Sequence, residues 1–378
     1  MRAILVGIHN SSKSYKEASQ SLKEMEGLVY ALNGMTIGKL YQKRESPEPA
    51  TYIGKGKAKQ LQELVEGTKA DTIVFDVPLS PVQISNLEDI TGAKVIDRTD
   101  LILQIFSERA RTKQAKLQVE LAMLEHELPR IYGQEGKYMS RIGGGYKTKG
   151  AGEKFGEVRV RTIKKRISTI KKQLKEIKKQ RKEQRKGRSK DFNLLNVALV
   201  GYTNVGKSSL LKRITKRDTF VSNQLFATLD TKTSFIKFPD IGKKVLLTDT
   251  VGFVKDMPKE IMDAFMATLE EVSEADLILH VVDVSDENWM KKVEIVDEIL
   301  NKVGAKDKPQ ILVLNKIDKI IPSKDFLDYT DESIAITDRK SVIISTKEGW
   351  NIDKLLDILK EEVQKKSKSI TLGGNKDV

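Results

Sequence analysis

The chain holds 378 residues, 39% of them hydrophobic, with 67 Lys and Arg against 53 Asp and Glu, a net charge of +14 and no cysteine. That length exceeds one ordinary core and calls for two or three domains, and the apolar fraction excludes a disordered chain. The missing cysteines exclude disulfides, thiolate catalysis and Cys-ligated zinc, and no apolar run approaches the roughly 18 residues of a membrane span, so the chain reads as cytoplasmic.

Residues 1–98 alternate strand-like and helix-like runs. AILVGI (3–8) and DTIVFDV (71–77) are apolar β runs, whereas KAKQLQELVEG (57–67) and SPVQISNLEDI (80–90) read as capped helices. The alternation predicts a small α/β domain with a mostly parallel sheet. Gly54-Lys55-Gly56 opens a helix and reads as a tight turn, the alternative being an amide approach to a phosphate. His9, His126 and His280 lie far apart and form no metal-ligand spacing.

From residue 99 the pattern changes. Leu117, Leu121, Leu124 and Leu128 recur at spacings of four, three and four, and Ile163, Ile167, Ile170, Leu174 and Ile177 at four, three, four and three. Both are heptad seams. With Pro129 as a helix stop they predict an antiparallel helical hairpin over 99–190 that stands out from the body. Its loop, about 129–157, carries eight glycines between Gly133 and Gly156, with Tyr132, Tyr138, Tyr146 and Phe155 among Lys and Arg. Glycine permits close backbone approach, aromatic rings stack on bases, and cations meet phosphates. Candidate RNA contacts are therefore Tyr138, Arg141, Tyr146, Lys147 and Lys149 near the loop, with Lys164, Lys165, Lys171 and Lys172 on the second helix. The competing reading is a connector whose composition carries no function. Between Val158 and Lys190 stand 16 Lys and Arg against 2 Asp and Glu, so this segment accounts for the whole net charge. Such concentration points to a polyanion, nucleic acid above all.

Residues 191–366 supply six strand candidates, LLNVALV, TSFIKF, KVLLTDT, DLILHVVDV, QILVLNK and SVIIS, most of them separated by helical stretches. This is a doubly wound α/β domain, followed by a frayed tail at 367–378. After the first strand comes Gly201-Tyr202-Thr203-Asn204-Val205-Gly206-Lys207-Ser208, continued by Ser209, which fits the phosphate-loop pattern. Its glycines let backbone amides face phosphates, Lys207 reaches the β and γ phosphates, and the Ser208 hydroxyl ligates Mg²⁺. DTVGF follows the strand KVLLTDT: Asp249 holds Mg²⁺ through water, Thr250 and Val251 continue the loop, and the Gly252 amide meets the γ-phosphate. In NKID, Asn315, Lys316, Ile317 and Asp318 close the next motif, and the Asp318 carboxylate matches the guanine N1 and N2 donors. Adenine presents a different pattern there, so GTP is expected over ATP. Ser345, Thr346 and Lys347 end the last strand and bring a backbone amide to the guanine O6. A switch threonine that ligates Mg²⁺ is expected between the phosphate loop and DTVGF, with Thr219, Thr228, Thr231 and Thr233 as candidates.

At this point the residues resemble the HflX GTPases of the translation-factor class. GYTNVGKSSL, LFATLD, DTVGFV followed by AFMATLEEV, and NKID carry the resemblance in the third region. SPEPATYIGKGKAKQL, KLQVELAMLEHELPR and GGGYKTKGAGEKFGEVRVRTIKKRI extend it, so that it covers residues 1–365. It implies Thr228 as the switch threonine, within the nucleotide-contacting run Phe226-Ala227-Thr228-Leu229-Asp230. It also implies binding to the ribosome, chiefly the large subunit and its RNA, with the hairpin loop reaching toward the peptidyl-transferase region and a role in splitting or rescuing stalled ribosomes. A monomer is expected. Two departures stand out: KFGEVRVR replaces part of the family's glycine-rich segment, and Ser345-Thr346-Lys347 stands where Ser-Ala-Lys is usual.

Many GTPases place a water-orienting glutamine after the DxxG glycine; here the residue is Phe253. Slow intrinsic hydrolysis, accelerated by the large subunit, is the expectation. The alternative is that Phe253 packs and another polar side chain supplies the water contact. Two other functions compete with a ribosome-associated switch: a GTP-dependent RNA-binding or remodelling protein, and a GTP-sensing scaffold whose hairpin binds protein.

Overall fold

The computed structural model describes residues 1–141, 149–188, 194–215, 225–226, 229, 232–254, 257, 261–262, 269, 272–327 and 339–373, with the backbone alone for 132–141, 149–156, 181–182, 184–188 and 366–373. Two compact units emerge, Met1–Glu176 with Pro258–Ala264, and Ile177–Met257 with Phe265–Val378.

The first unit opens with β1 (Arg2–His9), α1 (Tyr15–Ala31), β2 (Met35–Lys43), α2 (Lys55–Thr68), β3 (Thr72–Phe75), α3 (Pro81–Thr91), β4 (Lys94–Asp97) and α4 (Arg98–Arg109). The strands form a parallel sheet in the order β2-β1-β3-β4, as the alternating runs predict. On one face Ile4, Val6, Ile73 and Phe75 pack with Leu61, Val65 and Leu87 from α2 and α3. Three helices begin at capping boxes, Ser14 with Glu17, Ser80 with Gln83 and Asp97 with Asp100, each satisfying orphan amides of a first turn. α4 lies within the stretch assigned to the hairpin, but it packs on α1 and buries Leu101, Ile102, Ile105 and Phe106.

Then come α5 (Lys113–Arg141) and α6 (Lys149–Arg188). They run antiparallel: Leu124, Leu128 and Ile131 meet Val160, Ile163 and Ile167 in one apolar cluster. Ion pairs Glu120–Arg166, at 2.6 Å, and Glu127–Arg159 flank that seam. Two expectations need correcting. Pro129 lies inside α5 and does not end it, because the seam continues past it to Ile131. Helical backbone therefore includes Gly133, Gly136, Gly150, Gly152 and Gly156, where a loop over about 129–157 was expected. Nor is α5 a helix with a single narrow stripe: Ala115, Val119 and Ala122 are buried beside Leu117 and Leu121, and the helix packs on α3 and α4.

A polar clamp fixes the same helix. Arg130 donates to Asp97 at 2.8 Å and to Asp100 at 2.7 Å, while His126 Nε2 lies 3.1 Å from Asp100. Burial raises the Asp97 pKa; Asp100, although burial pushes the same way, is held below its usual range by His126 and Arg130. His126 thus serves a structural ion cluster that its sequence neighbours do not announce.

In the second unit β5 (Leu194–Val200), α7 (Lys207–Thr215), β6 (Lys232–Phe238), β7 (Lys243–Asp249), β8 (Leu277–Asp283), α8 (Trp289–Lys302), β9 (Gln310–Asn315), β10 (Ser341–Ile343) and α9 (Ile352–Gly373) follow one another. All six expected strands are present. They form one sheet in the order β10-β9-β8-β5-β7-β6, parallel except for β6 against β7. Central strands buried on both faces read as near-continuous apolar runs, as LLNVALV and LILHVVD do apart from Asn196, His280 and the terminal Asp283. No helix among the described residues is long and apolar enough to cross a membrane.

Candidate functional site

In open parallel sheets, ligands bind beyond the carboxyl ends of the strands. Here β5, β7, β9 and β10 deliver Gly201, Asp249, Asn315 and Ser345 to that edge. The four motifs are joined by hydrogen bonds as well as by proximity. Thr203 N donates to Phe253 O at 2.7 Å and Phe253 N to Gly201 O at 3.2 Å, so DTVGF runs on as a bridge to the phosphate loop. Asn315 ties the other side: its Nδ2 donates to Val205 O at 2.8 Å and its Oδ1 accepts from Thr346 N at 3.0 Å.

The loop needs its glycines. Gly201 has φ +147° and Gly206 φ +101°, and a Cβ on them would stand 2.2 Å from Val281 O and 2.4 Å from Asn315 Nδ2 respectively. No side chain fits either place. Asn204 adopts φ +61°, a left-handed conformation asparagine tolerates. The loop leads into the N-terminus of α7, where the helix dipole favours anions.

Lys207 is buried and donates to Gly201 O and Tyr202 O, both at 2.9 Å. Burial lowers its pKa to about 8 against the opposing pull of Asp249. Ser208 Oγ donates to Asp249 Oδ2 at 2.6 Å, and Asp249 is fully buried. A hydroxyl and a carboxylate from separate elements thereby converge, a hard-oxygen pair of the kind Mg²⁺ takes.

At the other end, Ser345 Oγ donates to Asp318 Oδ1 at 2.5 Å and accepts from Glu348 N at 3.0 Å, which orients that carboxylate. Lys316, at φ +66°, donates to Asn204 O at 2.5 Å and pairs with Asp283 at 2.7 Å. Ile317 is fully buried and anchors the turn. Asp283 ends β8 and was not anticipated; only its place at a strand end marked it. Lys347 reaches outward and pairs with Glu348 at 2.9 Å.

Ala227, Thr228 and Asp230 lie outside the described residues, as do Thr219 and Thr231, while Phe226 and Leu229 are buried on either side of Thr228. Thr233 stands in β6 opposite Thr248. The Phe253 side chain is only 1% exposed, and Thr250 Oγ1 donates to Leu199 O at 2.7 Å. Of the candidate RNA contacts, Lys164, Lys165 and Lys172 are exposed on α6, and Lys171 pairs with Glu125 at 2.8 Å. Tyr138, Arg141 and Lys149 lie in helical backbone, and Tyr146 and Lys147 fall outside the described residues. His280 is buried in β8, where burial lowers its pKa to about 4.

Three family models match the chain: "GTP-binding GTPase N-terminal" over residues 19–107, "GTP-binding GTPase Middle Region" over residues 109–188, and "50S ribosome-binding GTPase" over residues 196–316. GTPase HflX of Caldanaerobacter subterraneus subsp. tengcongensis is 42% identical over 372 residues, covering 98% of this chain and 82% of the relative. GTPase HflX of Escherichia coli (strain K12) is 38% identical over 362 residues, covering 96% and 83%. Among solved structures, SsGBP in complex with GDP is similar with a TM-score of 0.51 and 26% identity, covering 98% of this chain and 99% of that one.

Proposed function

The chain belongs to the HflX family of GTPases, and from that premise we propose that it is a nucleotide-controlled ribosome-binding switch acting chiefly on the large subunit. As a GTPase of this family it hydrolyses GTP to GDP and phosphate, and its third region is a ribosome-binding GTPase domain.

In this reading residues 201–209 wrap the phosphates, with Lys207 at the β and γ positions and the Gly252 amide at the γ end. Asp318 reads the guanine N1 and N2 donors, and the Thr346 amide meets O6. Mg²⁺ would be held by Ser208 and Thr228 directly and by Asp249 through water, and when bound it neutralises phosphate charge. The Ser208–Asp249 pair at 2.6 Å fits that ion, being two hard oxygen donors at the phosphate end of the pocket. The α5–α6 hairpin supplies the contact to ribosomal RNA through the exposed cations of α6, and the GTP state favours the bound form. A ligand shifts such an equilibrium only by its differential affinity for the two states. Splitting or rescue of stalled ribosomes is the consequence drawn for function.

The observation that carries the proposal is the joining of four motif loops at one sheet edge in a chain whose excess charge sits on a helical arm. Cosedimentation with large subunits tests it, comparing a non-hydrolysable GTP analogue with GDP, alongside GTP turnover with and without subunits. Retention with the analogue, release with GDP and faster turnover on subunits are expected. Equal retention in both nucleotides would sink the proposal, and retention on naked RNA alone would point to a remodelling protein.

A further inference from the structure

Phe253 leaves one task of the pocket without an owner. Its ring is buried and has no hydrogen-bonding atom, so it orients no water. The neighbouring hydroxyls of known engagement are committed elsewhere: Thr250 Oγ1 to Leu199 O at 2.7 Å, and Ser208 Oγ to Asp249 at 2.6 Å.

Thr203 differs. It is 7% exposed, and its hydroxyl is buried with no hydrogen-bond partner among the described residues. An unsatisfied buried hydroxyl costs free energy, and in native proteins it asks for an explanation such as a missing ligand. Its position is well defined. The backbone is pinned by the 2.7 Å bond from Thr203 N to Phe253 O. A Cβ built on Gly252 would lie 2.8 Å from Thr203 Cγ2, 2.9 Å from Thr203 Cα and 3.1 Å from Lys207 Nζ. Thr203, the Lys207 ammonium and Gly252 therefore crowd one point. Thr346 Oγ1 is also buried without a partner, but it belongs to the base-reading loop.

We propose that Thr203 is a catalytic residue of GTP hydrolysis, its hydroxyl donating to a γ-phosphoryl oxygen and accepting from the attacking water. The inference rests on the nucleotide reading given above, in which Lys207 and the Gly252 amide both serve the γ-phosphate. A hydroxyl carries one donor and two acceptor lone pairs, enough for both contacts. In the step itself the water oxygen forms a bond to the γ-phosphorus while the bond to the β–γ bridging oxygen breaks. The electron pair leaves with GDP, the water proton ends on the released phosphate, and Thr203 gains and loses nothing.

The test uses the full chain and three variants, Thr203→Ala, Thr203→Val and Thr203→Ser, read by single-turnover GTP hydrolysis and by GDP affinity. The Ala and Val variants are expected to hydrolyse about 10- to 100-fold more slowly. Their GDP affinity, which also reports correct folding, should change less than about threefold, because GDP lacks the group contacted. The Ser variant, which keeps the hydroxyl and drops the methyl, should stay within about threefold of wild type in both. Wild-type turnover in Ala or Val overturns the inference. So does a Ser variant as slow as Ala, or a loss of GDP affinity parallel to the loss of rate, since either assigns Thr203 to loop shape. A wild-type chain that fails to bind guanine nucleotides fails the nucleotide reading itself, an outcome separable from the variants.

Discussion

Lys207 is a cation placed where burial opposes its charge, and its pKa of about 8 expresses that conflict. Between that value and its unfolded value the unfolded chain binds more protons. The nucleotide-free protein is thus expected to gain stability from this group as pH climbs through that window. Bound phosphates favour the charged form and reverse the shift. GDP binding near pH 8.5 should accordingly take up about half a proton or more, and near pH 6.5 this lysine should contribute almost none. Calorimetry in buffers of different ionisation enthalpy measures the uptake, and Lys207→Ala should abolish it. At the base end, Asp318→Asn replaces two acceptors with one acceptor and one donor. Guanine then meets a donor with a donor, so GTP affinity should fall about 100-fold and preference move toward xanthosine nucleotides, whose C2 carbonyl suits the amide. Competition binding decides it; unchanged guanine preference would remove Asp318 from base reading. The phosphate loop was legible in sequence because its chemistry is local: eight consecutive residues between a strand and a helix. Asp283 and the uncommitted Thr203 hydroxyl were not, since pairing and burial come from distant strands.

At the scale of the element, Pro129 is the instructive case. Proline lacks the amide that would bond the Glu125 carbonyl, and mid-helix it costs about 3 kcal/mol. α5 continues because packing and charge hold both sides of the break, with Leu124, Leu128 and Ile131 on the seam and His126 and Arg130 on Asp97 and Asp100. Removing Arg130 leaves two neighbouring carboxylates, one of them nearly fully buried. Arg130→Ala is expected to lower stability by about 2–3 kcal/mol, less than for a fully buried pair because Arg130 is partly exposed. Urea denaturation measures this; an unchanged midpoint would show that the clamp carries no stability. Periodicity sufficed for β1, β3, α2, α3 and the six strands of the second unit. It did not reveal that α4 belongs to the sheet layer, because its buried residues cover most of its circumference. α1 was legible in principle through the Ser14–Glu17 box and the spacing of Ala18, Leu22, Met25 and Val29.

For the whole molecule, the distribution of charge matters more than its total. One segment holds the excess, so the RNA contact proposed above should depend on α6 and fade steeply with salt. Reversing Lys164, Lys165 and Lys172 together, sparing Lys171 because it pairs with Glu125, should weaken large-subunit binding about tenfold or more. The log–log salt slope should flatten by about three while GTP affinity stays constant. Salt-dependent cosedimentation checks both, and an unaltered slope would relieve α6 of the role. Of the six glycines in the helical backbone of α5 and α6, the five between Gly133 and Gly156 have a last consequence. Each forgoes about 1 kcal/mol of helix relative to alanine, so about 5 kcal/mol of rigidity is withheld from the end of the arm. That end can be recast by whatever surface receives it, as a key cut in soft metal takes the shape of its lock.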